Sequence, residues 1–256
     1  MLFVLGANIG YAIEGVVGFK AQDDFVEKQQ KAWEHCKKEI DQGLPCYGWE
    51  LDNAEYYVIN GYDDNGYCFS GPSFGSGEGS KNWQELGDTN IGVLEVYSIR
   101  PRQAAEDTKT IKESIEFVLH HAKNPKEWIF SQYKAGLEGF DNWIKALETG
   151  TAVKMGMAYN AACWAECRGF GVQFLKEAKE RINGKASTLF DEAVEHYKVV
   201  HENLKKVSEL FPFQLNRSMD TIEDSELIQT AIKYLGDARK AEEAGLNSLE
   251  KIHSEL

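Results

Sequence analysis

The hydrophobic and polar positions follow two different rhythms in the two halves of the chain. Up to about residue 100, apolar and polar residues alternate over short runs, which is typical of β-strands with one buried face. Beyond residue 104, apolar residues recur every three or four positions over long runs, which predicts amphipathic helices. The pattern therefore predicts an α+β chain, in which a small antiparallel sheet with one helix (residues 1–101) precedes an all-α bundle (residues 102–256).

The individual elements follow from this periodicity and from turn and capping residues. Strands are predicted at 11–18, 45–51, 54–61, 67–71 and 91–99, with a helix at 23–42 that ends at Gly43 and Pro45. Asn124 followed by Pro125 is typical of a helix start. The helices of the second half are predicted at 104–123, from 125 to about 148, and at 153–183, 187–210 and 221–254, the last capped by Asp220.

Two turns set the faces of the predicted sheet. A two-residue turn at Asp52-Asn53 places Glu50 opposite Glu55, and a second turn is predicted at Asn65-Gly66. Alternation then gathers one polar face, which we expect to border a cleft: Cys46, Gly48, Glu50, Glu55, Tyr57, Ile59, Cys68 and Ser70. The opposite face is expected to be the core: Tyr47, Trp49, Leu51, Tyr56 and Val58.

The polar face carries the candidate chemistry. Like charges directly across a strand pair are destabilising, so Glu50 and Glu55 would be relieved by a proton, a cation or a polar ligand. The alternative is that both are solvated or that the register differs. A nucleophilic Cys46 or Cys68 needs a nearby cation, and only His35, on the preceding helix, could approach. The alternative is that both cysteines are buried and inert.

These residues define a predicted site. Cys46, Glu50 and Glu55 are the candidate catalytic residues, and the candidate ligand-binding residues are Trp49, Tyr57, Tyr62, Cys68 and Ser70. The Gly/Ser-rich segment 72–90 is expected to be a loop that roofs the cleft. We expect no metal and no cofactor, and a small polar molecule or a peptide as ligand.

In the helical half, five residues share one helix face: Tyr159, Cys163, Cys167, Phe170 and Phe174. Two thiols alone are insufficient for a metal site, so we expect this face to be buried by packing. The amphipathic segment 221–254 is expected to pack on the bundle, with a homodimer through the C-terminal helices as the alternative.

Charge and cysteine content narrow the partners and the compartment. The net charge of −13 disfavours nucleic acid, and the chain has no basic cluster for an anionic membrane. The apolar N-terminal run lacks a basic region and contains Asn8 and Glu14, so we expect a strand and not a signal peptide or a membrane span. Five cysteines, an odd number, favour reduced thiols in the cytoplasm.

A family resemblance covers about residues 8–101. The stretches "EIDQGLPCYGWEL", "EYYVINGYDDNGYCFSGP" and "VLEVYSIRP" resemble the second half of a papain-like domain. They are most similar to the double-glycine bacteriocin-processing peptidases and to the N-terminal domain of butirosin-biosynthesis protein H. The helical half resembles the region that follows this domain in proteins like butirosin protein H. The resemblance implies a papain-like fold and cysteine-dependent amide chemistry.

The chain departs from that family at the catalytic positions. Glu55 stands where the family has its histidine, and Ser70-Gly71-Pro72 replaces the acidic or amide residue before proline. The helix that carries the family's nucleophile is expected to be missing, since there is no room for it before Leu2. Three hypotheses follow: a degenerate papain-like binding domain, which we favour; a thiol-dependent amide hydrolase or acyltransferase; and a helical assembly protein.

Overall fold

The computed structural model describes residues 5–72, 77–182, 186–214 and 218–256, and the chain forms two compact units, residues 1–106 and 107–256. The first unit contains an antiparallel sheet and one long helix, and the second is helical. The α+β class predicted from the sequence is therefore confirmed.

The first unit contains six strands and helix α1, Phe25–Asp41. The strands are β1 (Tyr11–Phe19), β2 (Cys46–Trp49), β3 (Tyr56–Tyr62), β4 (Gly66–Ser70), β5 (Glu78–Asn82) and β6 (Val93–Pro101), in the spatial order β1-β6-β2-β3-β4-β5. The fifth strand lies inside the segment predicted to be a roofing loop, so that prediction is wrong. Residues 73–76 of the same segment lie outside the described residues.

Helix α1 covers one face of this sheet and forms the core with it. The helix contributes Phe25, Ala32, Trp33 and Cys36, spaced so that they share one side, and the sheet contributes Cys46, Tyr57, Ile59, Tyr67, Phe69, Leu94 and Val96. The buried Gln29 amide donates hydrogen bonds to the carbonyls of Gln84 (2.6 Å) and Leu86 (3.0 Å). The segment before β6 is thereby held against the helix.

The register predicted for the first hairpin is right, although the loop there is longer than two residues, and the position predicted for the second turn is wrong. Trp49 pairs with Tyr56, which is the register that a turn at Asp52-Asn53 requires. In the second hairpin the two central residues are Asp64 and Asn65, since the backbone N–H of Asp63 donates to the Gly66 carbonyl at 3.0 Å. The Asp63 carboxylate accepts hydrogen bonds from the backbone N–H groups of Asn65 at 2.8 Å and Gly66 at 3.0 Å, which fixes the position of the turn.

In its described residues, the second unit contains five α-helices and one short 3-10 turn. The helices are α2 (Asp107–Lys123), α3 (Gly136–Glu148), α4 (Lys154–Arg181), α5 (Ala186–Leu210) and α6 (Ser225–Glu255), and the 3-10 turn is Pro125–Glu127. Two buried clusters hold them together, one around Phe140, Leu204 and Leu235 and one around Ile115, Phe190 and Ile252. None of the described helices combines the length and hydrophobicity that a membrane crossing requires.

Two helix starts differ from the prediction for local reasons. After Pro125 the chain makes only the short turn, because Trp128 folds back onto α2, with its ring 4.9 Å from that of Phe117. At the last helix the cap is Asp224, whose carboxylate accepts the N–H groups of Glu226 and Leu227 at 3.0 Å. The backbone carbonyl of Asp220 instead accepts a hydrogen bond from the Lys154 N–H.

Candidate functional site

The face predicted to border a cleft is the core face of the sheet. Cys46 is 2% exposed and Tyr57 is 1% exposed, and both lie beneath α1. The Tyr57 ring is fixed further by Gly71, where an added Cβ would lie 2.0 Å from the ring. The face assignment made from the sequence is therefore wrong for these two residues, because α1 packs on the side that contains them.

The Cys46 thiol has another thiol as its neighbour. Its partner is Cys36 of α1, which is 0% exposed. The hydrogen bond with Cys46 and then burial raise the pKa of the Cys36 thiol far above its usual value. The Cys36 thiol is therefore neutral, and the Cys46 thiol is buried beside it without access for a substrate, whereas nucleophilic cysteine chemistry requires an accessible thiolate.

His35 contacts a different residue from the one expected. Its Nε2 lies 3.0 Å from the Ser98 hydroxyl on β6. The pair has the spacing of a base and a hydroxyl nucleophile. Ser98 is 0% exposed, however, so a substrate has no access to its oxygen, and the bond satisfies a buried hydroxyl.

The two glutamates flank the turn that joins β2 to β3. Glu50 has a left-handed backbone (φ 58°), and its carboxylate accepts a hydrogen bond from the Thr89 hydroxyl at 2.7 Å. Glu55 is exposed, and its carbonyl accepts the Glu50 N–H at 2.9 Å. The hydrogen bond from Thr89 to Glu50 and the exposure of Glu55 to solvent therefore relieve the repulsion that was expected between the two carboxylates.

The remaining predicted ligand-binding residues do not join Cys46. The β3–β4 register shifts between Ile59 and Gly61, which helps turn Cys68 and Ser70 to the face away from α1. There the Ser70 hydroxyl accepts from the Asn60 amide at 2.9 Å, and a shallow depression is lined by Asn60, Cys68, Ser70 and Glu78. Tyr62 lies near α1 and donates to the Asp41 carboxylate at 2.7 Å.

The face of the sheet away from α1, here called the open face, carries the aromatic side chains that were expected in the core. Five hydrophobic side chains on it are between 38% and 49% exposed: Tyr11, Val17, Phe19, Tyr56 and Val58. At its centre four rings form a continuous cluster. Tyr47 lies 5.1 Å from Tyr97 and 5.9 Å from Tyr56, and Tyr56 lies 5.1 Å from Trp49, all between ring centroids.

The carboxylate of Glu95 lies within this cluster. Tyr56 donates a hydrogen bond to it, and Tyr97 is hydrogen-bonded to it as well. Burial and the charge of Glu95 raise the pKa values of Tyr47, Tyr56 and Tyr97 above the ordinary tyrosine value. Glu95 with these three tyrosines and Trp49 is called the aromatic patch.

A glycine on β1 makes room for the aromatic patch. Gly15 pairs with Tyr97, and a Cβ added at Gly15 would lie 2.5 Å from the Tyr97 ring and 2.2 Å from the Val96 carbonyl oxygen. The Tyr97 ring therefore covers the glycine, and it is only 5% exposed although it lies on the open face.

The helical unit differs from the prediction at one face of α4, and it contains a buried ion pair. The α4 face predicted to be buried is largely exposed: Tyr159, Cys167, Phe170 and Phe174 are all exposed, and Cys163 is half-buried. Arg168 of α4 instead points inward and makes two hydrogen bonds of 2.8 Å to the Glu242 carboxylate. In the described ranges of both units, no cluster of three or more His, Cys, Asp or Glu side chains is arranged to hold a metal ion.

Sequence reasoning missed Glu95 and Tyr97. Both stand at alternate positions of "VLEVYSI", a strand predicted correctly, but the face shared with Tyr47 and Tyr56 depends on β2 pairing with β6 across about fifty residues.

Comparison with protein-family models finds no family that matches this chain, and comparison with characterised proteins finds no significant sequence match. The papain-like resemblance therefore stays a prediction.

Proposed function

We propose that residues 1–106 form a non-catalytic domain, a degenerate relative of the papain-like domains, that binds an extended peptide through an arginine side chain. The observation that carries the proposal is the Glu95 carboxylate within four aromatic rings on the open face. The degenerate interpretation is supported by Glu55 at the family's histidine position and by the burial of Cys46.

The charge of the aromatic patch selects a cation. In the described part of the chain, the hydrogen-bond partners of the Glu95 carboxylate are tyrosine hydroxyls and not lysine or arginine side chains. Tyrosine and tryptophan rings attract a cation by about 0.5–2 kcal/mol. A guanidinium fits better than an ammonium, because it stacks on rings and binds a carboxylate through two parallel hydrogen bonds.

The shape of the open face selects a peptide. Small-molecule sites are concave and enclose their ligand, whereas six strands side by side present a surface about 24 Å across. An extended chain of about seven residues spans that distance. A nucleic acid does not fit, because both the net charge of −13 and the carboxylate in the aromatic patch repel phosphates.

The thiol-dependent alternative receives no support from the geometry. Cys46 is buried beside Cys36, and His35 contacts Ser98.

We place the protein in the cytoplasm, which is supported by five cysteines that are all unpaired thiols.

Calorimetric titration with three matched peptides tests the proposed function. Each is a short, blocked peptide whose flanking residues are uncharged and whose central residue is arginine, lysine or the uncharged arginine analogue citrulline. We expect the arginine peptide to bind most tightly and the citrulline peptide at least about tenfold more weakly, since charge-assisted hydrogen bonds contribute about 1.5–3 kcal/mol.

Two variants locate the binding site. Glu95→Gln should weaken arginine-peptide binding to the level of the citrulline peptide. Glu55→Gln removes the same charge from an exposed position outside the aromatic patch and should leave binding unchanged. Equal binding of the arginine and citrulline peptides, or equal losses in the two variants, would reject the proposal.

A further inference from the structure

A row of directly opposed residues crosses the open face from one edge of the sheet to the other. Residues that pair across neighbouring strands point their side chains to the same face of a sheet. Each strand pair contributes one such pair of residues, and each pair shares a residue with the next. This cross-sheet row runs from β1 to β5 and consists of Gly15, Tyr97, Tyr47, Val58, Ser70 and Glu78. A single extended ligand can therefore follow one continuous line over the open face.

Two carboxylates are the charged groups that the described strands present on the open face. Glu95 belongs to the aromatic patch on β6, and Glu78 ends the cross-sheet row on the edge strand β5. The other charged residues of these strands stand at alternate positions that face the α1 side: Glu14, Lys81 and Arg100. A surface with two separated negative charges is complementary to a ligand with two positive charges.

The separation of the two glutamates sets the spacing of those positive charges. Strands β6 and β5 are four strand intervals apart, or about 19 Å. Glu95 stands two residues along β6 from Tyr97, which is an offset of about 7 Å, so the two glutamate backbones are about 20 Å apart. An extended peptide covers that distance in about six residues. Because six is an even number, both side chains point to the same side of the peptide.

The surroundings of Glu78 differ from those of Glu95. Glu78 is exposed and borders the shallow depression that Asn60, Cys68 and Ser70 also line. The Asn60 amide donates to the Ser70 hydroxyl through its N–H, and its carbonyl oxygen is a further acceptor. In the described residues no tyrosine or tryptophan ring lines the depression. A lysine ammonium, with three donors and no need for a stacking surface, suits this position.

We propose that the peptide crosses the strands along the cross-sheet row and carries two basic residues six positions apart, an arginine at Glu95 and a lysine at Glu78. This inference rests on the proposed function, because it specifies the peptide that the aromatic patch binds. The residues between the two basic positions lie over Tyr47 and Val58, and Val58 is 49% exposed. Uncharged side chains are therefore expected there.

Calorimetric titration with blocked peptides that contain one arginine tests the spacing. Six residues from the arginine they carry either lysine or its uncharged form, acetyl-lysine, and a third peptide carries lysine five residues away. Each is made in both sequence orders, since an extended chain can cross the row in two directions, and the tighter order is compared. We expect lysine at six residues to bind about two- to fivefold more tightly than acetyl-lysine, as an exposed ion pair contributes little. Lysine at five residues points away from the sheet and should give no gain.

Variants separate this inference from the proposed function. Glu78→Gln should remove the gain, so that the lysine and acetyl-lysine peptides bind equally, and the control Glu55→Gln should preserve it. If the arginine peptides bind through Glu95 but lysine gives no gain, or if the gain persists in Glu78→Gln, this inference is wrong and the proposed function stands. If no arginine peptide binds, both are wrong.

Alkylation of Cys68 provides a second test that needs no variant. Cys68 is half-buried in the depression, so an occupied depression should shield its thiol. With both peptides at saturation, the lysine peptide should slow the reaction of Cys68 with iodoacetamide at least about twofold relative to the acetyl-lysine peptide. Cys167, which is exposed in the other unit, should react equally with both. Mass spectrometry measures the two rates, and equal rates at Cys68 would overturn the placement of the lysine.

Discussion

At the scale of single residues, the Glu95 carboxylate is the charge around which the open face is organised. Tyr56 and Tyr97 are hydrogen-bonded to it, and its charge acts on Tyr47 as well. These rings are amphipathic, so they cover apolar sheet surface while their hydroxyls reach a polar group. Aromatic side chains on a sheet are therefore compatible with a solvent-facing position as well as with a core.

The raised tyrosine pKa values predict a loss of stability in alkaline solution. For Tyr47, Tyr56 and Tyr97 the folded-state pKa lies above the unfolded value of about 10. The folded state therefore binds these protons more tightly, and this stabilisation is complete below pH 10. It is lost as the pH rises through the raised values. Denaturant unfolding at a series of alkaline pH values should show this decline.

Tyrosinate absorbance after a rapid pH jump isolates the contribution of Glu95. In Glu95→Gln, more of the eleven tyrosines should ionise near their ordinary pKa of about 10, because the neighbouring negative charge is removed. Glu55→Gln should titrate like the wild-type protein. Identical titration curves for Glu95→Gln and the wild type would show that Glu95 does not control these hydroxyls.

The exposure of the five thiols predicts an order of alkylation. Cys167 is exposed, Cys68 and Cys163 are half-buried, and Cys36 and Cys46 are buried. Because a thiol must be accessible and ionised to react, Cys167 should be alkylated first and Cys36 and Cys46 last. Mass spectrometry after brief treatment with iodoacetamide measures the order. A hyper-reactive Cys46 would favour the thiol-dependent alternative instead.

At the scale of elements, hydrophobic periodicity predicted the strands and helices that have a clear apolar pattern and missed a strand that has none. The strands of "YAIEGVVG" and "VLEVYSI" and the long helices were found from the sequence because their patterns are strong. Strand β5, "EGSKN", was missed because it is a polar edge strand with no apolar alternation. Its strand conformation comes from pairing with β4, which is a tertiary contact.

Two glycines of α6 should respond in opposite ways to alanine. A Cβ at Gly236 meets nothing described within 4 Å, so Gly236→Ala should stabilise the helical unit by up to about 1 kcal/mol. A Cβ at Gly245 would lie 2.8 Å from the Tyr197 ring, so Gly245→Ala should destabilise it by about 1–3 kcal/mol. Denaturant unfolding of the two variants measures both effects, and equal changes would contradict the packing described for α6.

At the scale of the whole molecule, the sequence determined the class of fold but not which sheet face is covered. The β2–β3 register was predicted correctly, so the two faces were sorted correctly along most of that hairpin. Which face becomes the core depends on α1, and the side on which a helix packs is not encoded in the alternation of a strand. Leu51 is an exception to the predicted sorting of faces. It is buried next to Glu50, whose left-handed backbone breaks the alternation of the strand.

The same limit applies to the candidate site. The predicted residues were drawn from one hairpin, whereas the aromatic patch combines β2 and β3 with the distant β6. The contact between His35 and Ser98 likewise spans 63 positions. Contacts between residues so far apart in the sequence depend on the order of the strands in the sheet, and the hydrophobic pattern of a single strand does not specify that order.

The central claim is that the open face of the sheet, and not the predicted cleft face, is functional. Amide and indole NMR spectra of the full chain, recorded during titration with the arginine peptide, test it most directly. We predict shifts that centre on Tyr47, Trp49, Tyr56, Glu95 and Tyr97, saturate with the peptide and disappear in Glu95→Gln. Shifts centred instead on Glu50, Glu55 and the residues around Cys46, or no shifts at all, would contradict the account.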